Sequence, residues 1–182
     1  MNSAIEAAIA SYEQAVELDP DAEKARVQLI HAQAALSRQD EAIAHHRQRL
    51  ADRPDDLSAH RLLAYAHITA HDYHAADRLI EAGLAIEPND ARLVELRGAV
   101  LAATGDPDGA LATWQRALEL DPDNISGHYS RAFLLERSGR LEEAAGEWRA
   151  ILAWSEAHGS PLDAEWPRRE LARLQPHTAQ LD

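Results

Sequence analysis

The sequence predicts an all-α solenoid of stacked helical hairpins, and three observations predict it. Pro20, Pro54, Pro88 and Pro122 are spaced 34 residues apart. A column of small residues, Ala8, Ala42, Ala76, Ala110 and Ala144, keeps the same period, and so does an apolar column, Val16, Leu50, Leu84, Leu118 and Leu152. Three columns in one phase define an internal repeat, and a period of about 20–50 residues marks an array in which each unit buries its apolar face against its neighbours.

Within one period the pattern is helical. Ala91 to Ala103 carries an apolar face without internal proline, Gly105, Asp106 and Pro107 break the chain, and Ala110 to Leu120 resumes at period 3.6. Pro122 stops this second helix, because its ring cannot accept continuation and the residue before it is pushed out of the α region. Each unit is therefore two helices joined by a tight turn.

The segments "RGAVLAATGDPDGALATWQRALELDPDN" and "RAFLLERSGRLEEAAGEWRAILAW" carry Gly98 and Ala132 in the first helix and Gly105 and Gly139 at the turn. The alanine column, Trp114 or Trp148 and a closing proline or extended helix follow. With the 34-residue hairpin, this pattern resembles the tetratricopeptide repeat family over roughly residues 4 to 154, and the resemblance implies a right-handed superhelix. By that register residues 1–22 hold a half repeat, its second helix only. Repeats 1 to 4 occupy 23–56, 57–90, 91–124 and 125–158, a capping helix occupies 159–175 and a frayed tail 176–182, all in one domain. Asp163 is the expected N-cap of the capping helix, with Pro167 in its first turn and Trp154 and Trp166 at the junction. The aromatic column reads Tyr12, His46, Ile80, Trp114, Trp148, so His46 makes repeat 1 the least regular.

Composition narrows the function. With 46% hydrophobic and 27% charged residues the chain reads as folded, and its lack of cysteine removes disulfides and thiolate chemistry. A formal charge of −13 with acids spread along the chain argues against nucleic acid and against an anionic membrane surface. No leader or spanning segment is read, which gives a cytoplasmic expectation. The ten histidines suggest that association or solubility changes between neutral and mildly acidic pH.

Two stretches carry metal-ligand residue types, and the register accounts for both. His67, His71 and His74 have helical spacing, but the register puts them on a first helix, a turn and a second helix. His71 then takes the turn position of Gly105 and Gly139, which calls for a positive φ. "DPDNISG" has Ser126 and Ala132 where a calcium loop needs Gly and Glu. Neither metal nor cofactor is expected, and with no nucleophile elbow, phosphate loop or zinc-ligand motif the expectation is a non-catalytic protein.

What remains is surface. The resemblance implies that first helices line a concave groove, with Lys24, His31, Arg61, Tyr65, Arg92, Glu95, Tyr129, Phe133 and Arg137 as its candidate peptide-binding residues. Arg61 and Arg92 either meet an acidic partner side chain together, or Arg92 pairs with Glu95 three residues on. No asparagine falls on an inner face, so no chaperone-tail carboxylate clamp is expected. The function expected is a protein-interaction scaffold or adaptor for a protein or peptide partner. The alternative is self-assembly into a homo-oligomer through Ile5, Ile9 and Tyr12 of the first helix, whose own partner helix is missing. A metal- or pH-responsive adaptor rests on the histidines alone.

Overall fold

The computed structural model describes residues 2–19, 22–159 and 161–178, with 161–163 and 175–178 described by backbone alone. Pro20, the first of the proline column, and residues 179–182 of the expected tail lie outside the described residues. Among the described residues every regular element is a helix: α1 (Asn2–Leu18), α2 (Glu23–Ala35), α3 (Gln39–Asp52), α4 (Leu57–Thr69), α5 (Tyr73–Ile86), α6 (Ala91–Thr104), α7 (Pro107–Leu120), α8 (Ile125–Arg137), α9 (Leu141–His158) and α10 (Pro161–Thr178). The starts of α2, α4, α6 and α8 follow one another at the 34-residue period.

Contacts group the chain into two compact units, Met1–Val100 and Leu101–Asp182, with the division inside α6. In the first unit each helix from α1 to α4 packs on the next, and α2 also meets α4, so these two first helices lie side by side. Ile30, Ile43, Leu62 and Leu63 form one core with Ala42 and Ala66. Ile80, Leu93 and Val100 form another with Ala64 and Ala76. Each fully buried aliphatic side chain contributes about 1.5–3 kcal/mol. In the second unit α7 packs on α8, α8 on α9 and α9 on α10, around the buried Trp114, Leu118, Leu135, Trp148 and Ile151.

The alanine column lets paired helices approach, and Ala76, Ala110 and Ala144 are completely buried. Ala76→Leu is therefore expected to overpack the α4–α5 contact and destabilise the first unit by about 1–3 kcal/mol. A thermal melt checks this, and an unchanged midpoint would contradict the packing.

Side-chain caps also follow the period. Asp56 accepts from Ala59 N at 2.9 Å, Asp90 from Leu93 N at 2.9 Å and Asn124 from Gly127 N at 3.3 Å. Asp72 and Asp106 cap the second helices α5 and α7 in the same way. These bonds satisfy backbone N–H groups that a first turn leaves without partners. In repeat 1 the corresponding places hold Ala22 and Arg38, and neither makes a side-chain cap bond.

All four turns between paired helices use a positive φ, and they fall one period apart: Ser37 at 58°, His71 at 59°, Gly105 at 95° and Gly139 at 73°. For Ser37 and His71 the Cβ makes this conformation costly by roughly 1 kcal/mol. Ser37 is exposed, so Ser37→Gly is expected to raise the melting midpoint by a few degrees, about 1 kcal/mol before glycine's own entropic cost is deducted. A lowered midpoint would contradict the strain.

The C-terminal helix differs from expectation. α10 starts at Pro161, which makes Asp163 an interior residue rather than the cap, and it continues to Thr178, past the expected end at 175. Pro161 suits a first helical position, where no N–H is needed. Pro167 then lies beyond the first turn. It is fully buried, and that burial offsets the backbone bond its ring removes.

Candidate protein-interaction surface

In the first unit, α2, α4 and α6 contribute residues in register: Arg61 and Glu95, and His31 and Tyr65, are one period apart, and Lys24 and Arg92 two. Tyr65 is half-buried and packs against the neighbouring apolar core. Its ring meets His31 edge-on, with centroids 5.2 Å apart, and its hydroxyl donates to the imidazole. Burial pushes the Tyr65 phenol up to about 12, with Arg92 opposing and Glu95 reinforcing the shift. Burial also lowers His31, so at neutral pH the pair is a protonated phenol donating to a neutral ring.

Arg61 is already engaged. Its Nη2 donates to Glu23 at 2.8 Å and its Nη1 to the capping residue Asp90 at 3.0 Å, while Nε is buried without a partner. It thereby ties the start of α2 to the start of α6. Arg92 Nη1 donates to Glu95 Oε2 at 2.6 Å, the local pair of the two alternatives that the sequence left open. Lys24 is exposed, and so is the part of His31 that Tyr65 does not cover.

In the second unit, Tyr129 and Phe133 of α8 are gathered with Trp148 of α9 and Trp166 of α10. Tyr129 stacks on Trp166 with centroids 5.3 Å apart and planes at 20°, and Phe133 meets Trp148 edge-on at 5.5 Å. Beneath them Trp148 Nε1 donates to Glu136 Oε1 at 2.7 Å, and Arg173 of α10 pairs with the same carboxylate. α10 thus covers part of the α8 face, leaving Phe133 at 44% and Trp166 at 45% exposure beside the exposed Arg137. Trp154, expected at this junction, instead stacks on His158 of its own helix.

The N-terminal helix turns its apolar face inward. α1 packs on α2, Ile9 is 3% exposed, and Ile5 and Tyr12 are half-buried. α2 covers much of that face. Leu18, at 80%, is the large apolar side chain that α1 exposes.

The three clustered histidines separate as the register requires. His67 is buried in α4 with Nδ1 3.2 Å from Asp72 Oδ2, too far off line for a hydrogen bond. His71 lies in the turn beside the Tyr73 hydroxyl, and His74 is exposed on α5. Among the described residues no group of three or more His, Cys, Asp or Glu side chains is placed to hold a metal ion, and no helix is long and apolar enough to cross a membrane.

Stacked helical hairpins whose first-helix faces carry aromatic and charged side chains define a helical-repeat scaffold for protein interaction. Family models for the tetratricopeptide repeat match residues 4–22 and, as TPR repeat, residues 98–139. Together with the 34-residue register and the fold, they support assignment of the chain to the tetratricopeptide repeat family. A thermophilic TPR protein of Thermus thermophilus has the same fold, with a TM-score of 0.71 and 24% identity over 94% of this chain and 90% of that one. MamA from Desulfovibrio magneticus superposes with a TM-score of 0.59 and 22% identity over 86% and 88% of the two chains. Protein FlbA of Caulobacter vibrioides is 31% identical over 61% of this chain and 18% of its own length. The peroxisomal targeting signal receptor of Saccharomyces cerevisiae is 29% identical over 50% and 15%. The chain thus spans less than a fifth of either of these curated relatives.

Proposed function

We propose that this scaffold binds a segment of a protein partner along the first-helix face of its N-terminal unit. The supporting observation is the row His31, Tyr65, Arg92 and Glu95 on three successive first helices, where an aromatic ring lies between hydrogen-bonding and charged groups. An apolar side chain of the partner rests on Tyr65, and an acidic one reaches Lys24 or Arg92, a helix or extended segment being equally suited. Phe133 beside Arg137 offers the same chemistry in the second unit.

The test is affinity capture from source-cell lysate with the wild type and a Lys24→Glu, Arg92→Glu variant. Arg61 is spared because its two carboxylate contacts make it part of the fold. A partner retained by the wild type and lost by the folded variant supports the reading; equal retention contradicts it. Self-association through α1 is the second reading, favoured by the exposure of Leu18. Sedimentation that depends on dilution in the wild type, and no longer does in Leu18→Asp, supports that reading.

A further inference from the structure

A cleft of about 320 Å³ opens between α1, α2 and α3. It lies where repeat 1 breaks the aromatic column: His46 occupies the place that Trp114 and Trp148 fill in later repeats. The imidazole is 3% exposed, lines the cleft, and has an Nδ1 without a hydrogen-bond partner. Buried polar atoms are nearly always paired, so an orphan beside a cavity marks a place where the chain's own packing is incomplete.

The lip of this cleft is acidic. Glu13 and Glu17 line it from α1, both exposed, one helical turn apart. Like charges at this spacing repel and weaken a helix, and a bound cation relieves that repulsion. Val16, Leu29 and Ala42 give the cleft an apolar wall. Arg26 donates from Nη1 to His45 Nε2 at 3.3 Å, which engages its guanidinium on α3. Burial lowers both His45 and His46, so at neutral pH the rings are uncharged and do not repel a cation.

We propose that this cleft receives an arginine side chain of a partner polypeptide, its guanidinium between Glu13 and Glu17 and its methylene stem along Val16, Leu29 and Ala42. Arginine fits better than lysine for two reasons. Its planar fork carries five N–H donors that bridge two carboxylates, and it is more weakly hydrated than an ammonium and so enters a half-enclosed site at lower cost. Its aliphatic stem covers apolar surface while the head stays at the lip. The side chains are not placed to chelate a metal ion. The residues that α2 contributes, Arg26, Leu29 and Gln33, differ from Lys24 and His31 on the proposed groove, so the two sites fail independently.

The experiment titrates the blocked peptide Gly-Ser-Arg-Ser-Gly, its lysine and citrulline counterparts and free arginine into the full chain, read from the amide resonances of residues 13–17 and 42–46. The expected result is saturable shifts with the arginine peptide and binding at least about tenfold weaker for the lysine and citrulline peptides. Free arginine, whose own carboxylate meets the acidic lip, is also expected to bind more weakly. Glu13→Gln combined with Glu17→Gln should abolish binding without lowering the melting midpoint, since it removes a repulsion. His46→Trp should abolish it by filling the cleft, while the groove variant Lys24→Glu, Arg92→Glu should bind as the wild type does. No saturable shift, equal binding of the citrulline peptide, or binding that survives the double glutamine variant would overturn the proposal. Equal binding by the lysine peptide or by free arginine would overturn the assignment to a polypeptide arginine.

Discussion

Replacing Trp148 by alanine is expected to destabilise the second unit by about 3–5 kcal/mol, the cost of removing a large buried aromatic side chain whose cavity closes incompletely. Trp148 is fully buried, and Tyr129, Phe133 and Trp166 all pack on its ring with centroids 5.5–5.7 Å away. Its indole N–H also donates to Glu136, which Arg173 of α10 shares. The substitution therefore removes packing between α8, α9 and α10 and leaves a carboxylate short of a donor. Trp148→Phe separates the two effects by keeping most of the volume while losing the N–H. The expected readout is a fall in melting midpoint of about ten degrees or more for alanine and a smaller fall for phenylalanine. Equal, small losses in both would show that the aromatic cluster contributes little.

His46 governs the second large effect, a loss of stability in acid. Burial is the main cause that lowers its imidazole to about 3, reinforced by His45, Arg26 and Arg49. In the unfolded chain it titrates near the ordinary value of about 6.5. Above that value neither state carries the proton, and the group adds no pH dependence. Below it the unfolded chain binds a proton that the folded chain refuses, so stability falls until pH approaches the folded value near 3. By pH 5 the loss is about 2 kcal/mol, an order-of-magnitude figure. His31 and His45 are lowered as well and act in the same direction. His46→Leu fills the same apolar position without a titrating group, so its advantage over the wild type should grow by about 2 kcal/mol between pH 7 and pH 5 in urea unfolding. A constant difference would contradict the burial account.

The helices and their packing columns were legible because the sequence repeats each constraint. Ala76 predicts its burial from its equivalents at Ala110 and Ala144, and His71 predicts its positive φ from Gly105 and Gly139. Ser37, in the same column, gives no such signal because serine is not the residue such a turn favours. The ends were less legible, since each occurs once. Pro167 read as a first-turn residue of a helix capped by Asp163, whereas the helix opens at Pro161 and tolerates Pro167 in its interior by burying it. α1 read as lacking part of its usual cover, and in the structure it packs on α2 with Ile9 buried and Ile5 and Tyr12 half-buried.

The candidate surface was legible in position but not in pairing. Column arithmetic puts Tyr65, Arg92 and Glu95 on first helices. It does not show that Arg61 is held by Glu23 and Asp90, because that arrangement depends on side-chain reach between repeats. The aromatic side chains Tyr129 and Phe133 were expected to face a partner, and Trp166 of the chain itself stacks against the first of them.

A photo-crosslinking residue placed at Arg92 in source cells tests the central claim most directly, with one at Gly146, on the exposed face of α9, as the control. The account predicts an adduct of defined mass at position 92 and none at 146. Adducts of equal yield at both positions, or none at 92, would contradict binding along the first-helix face.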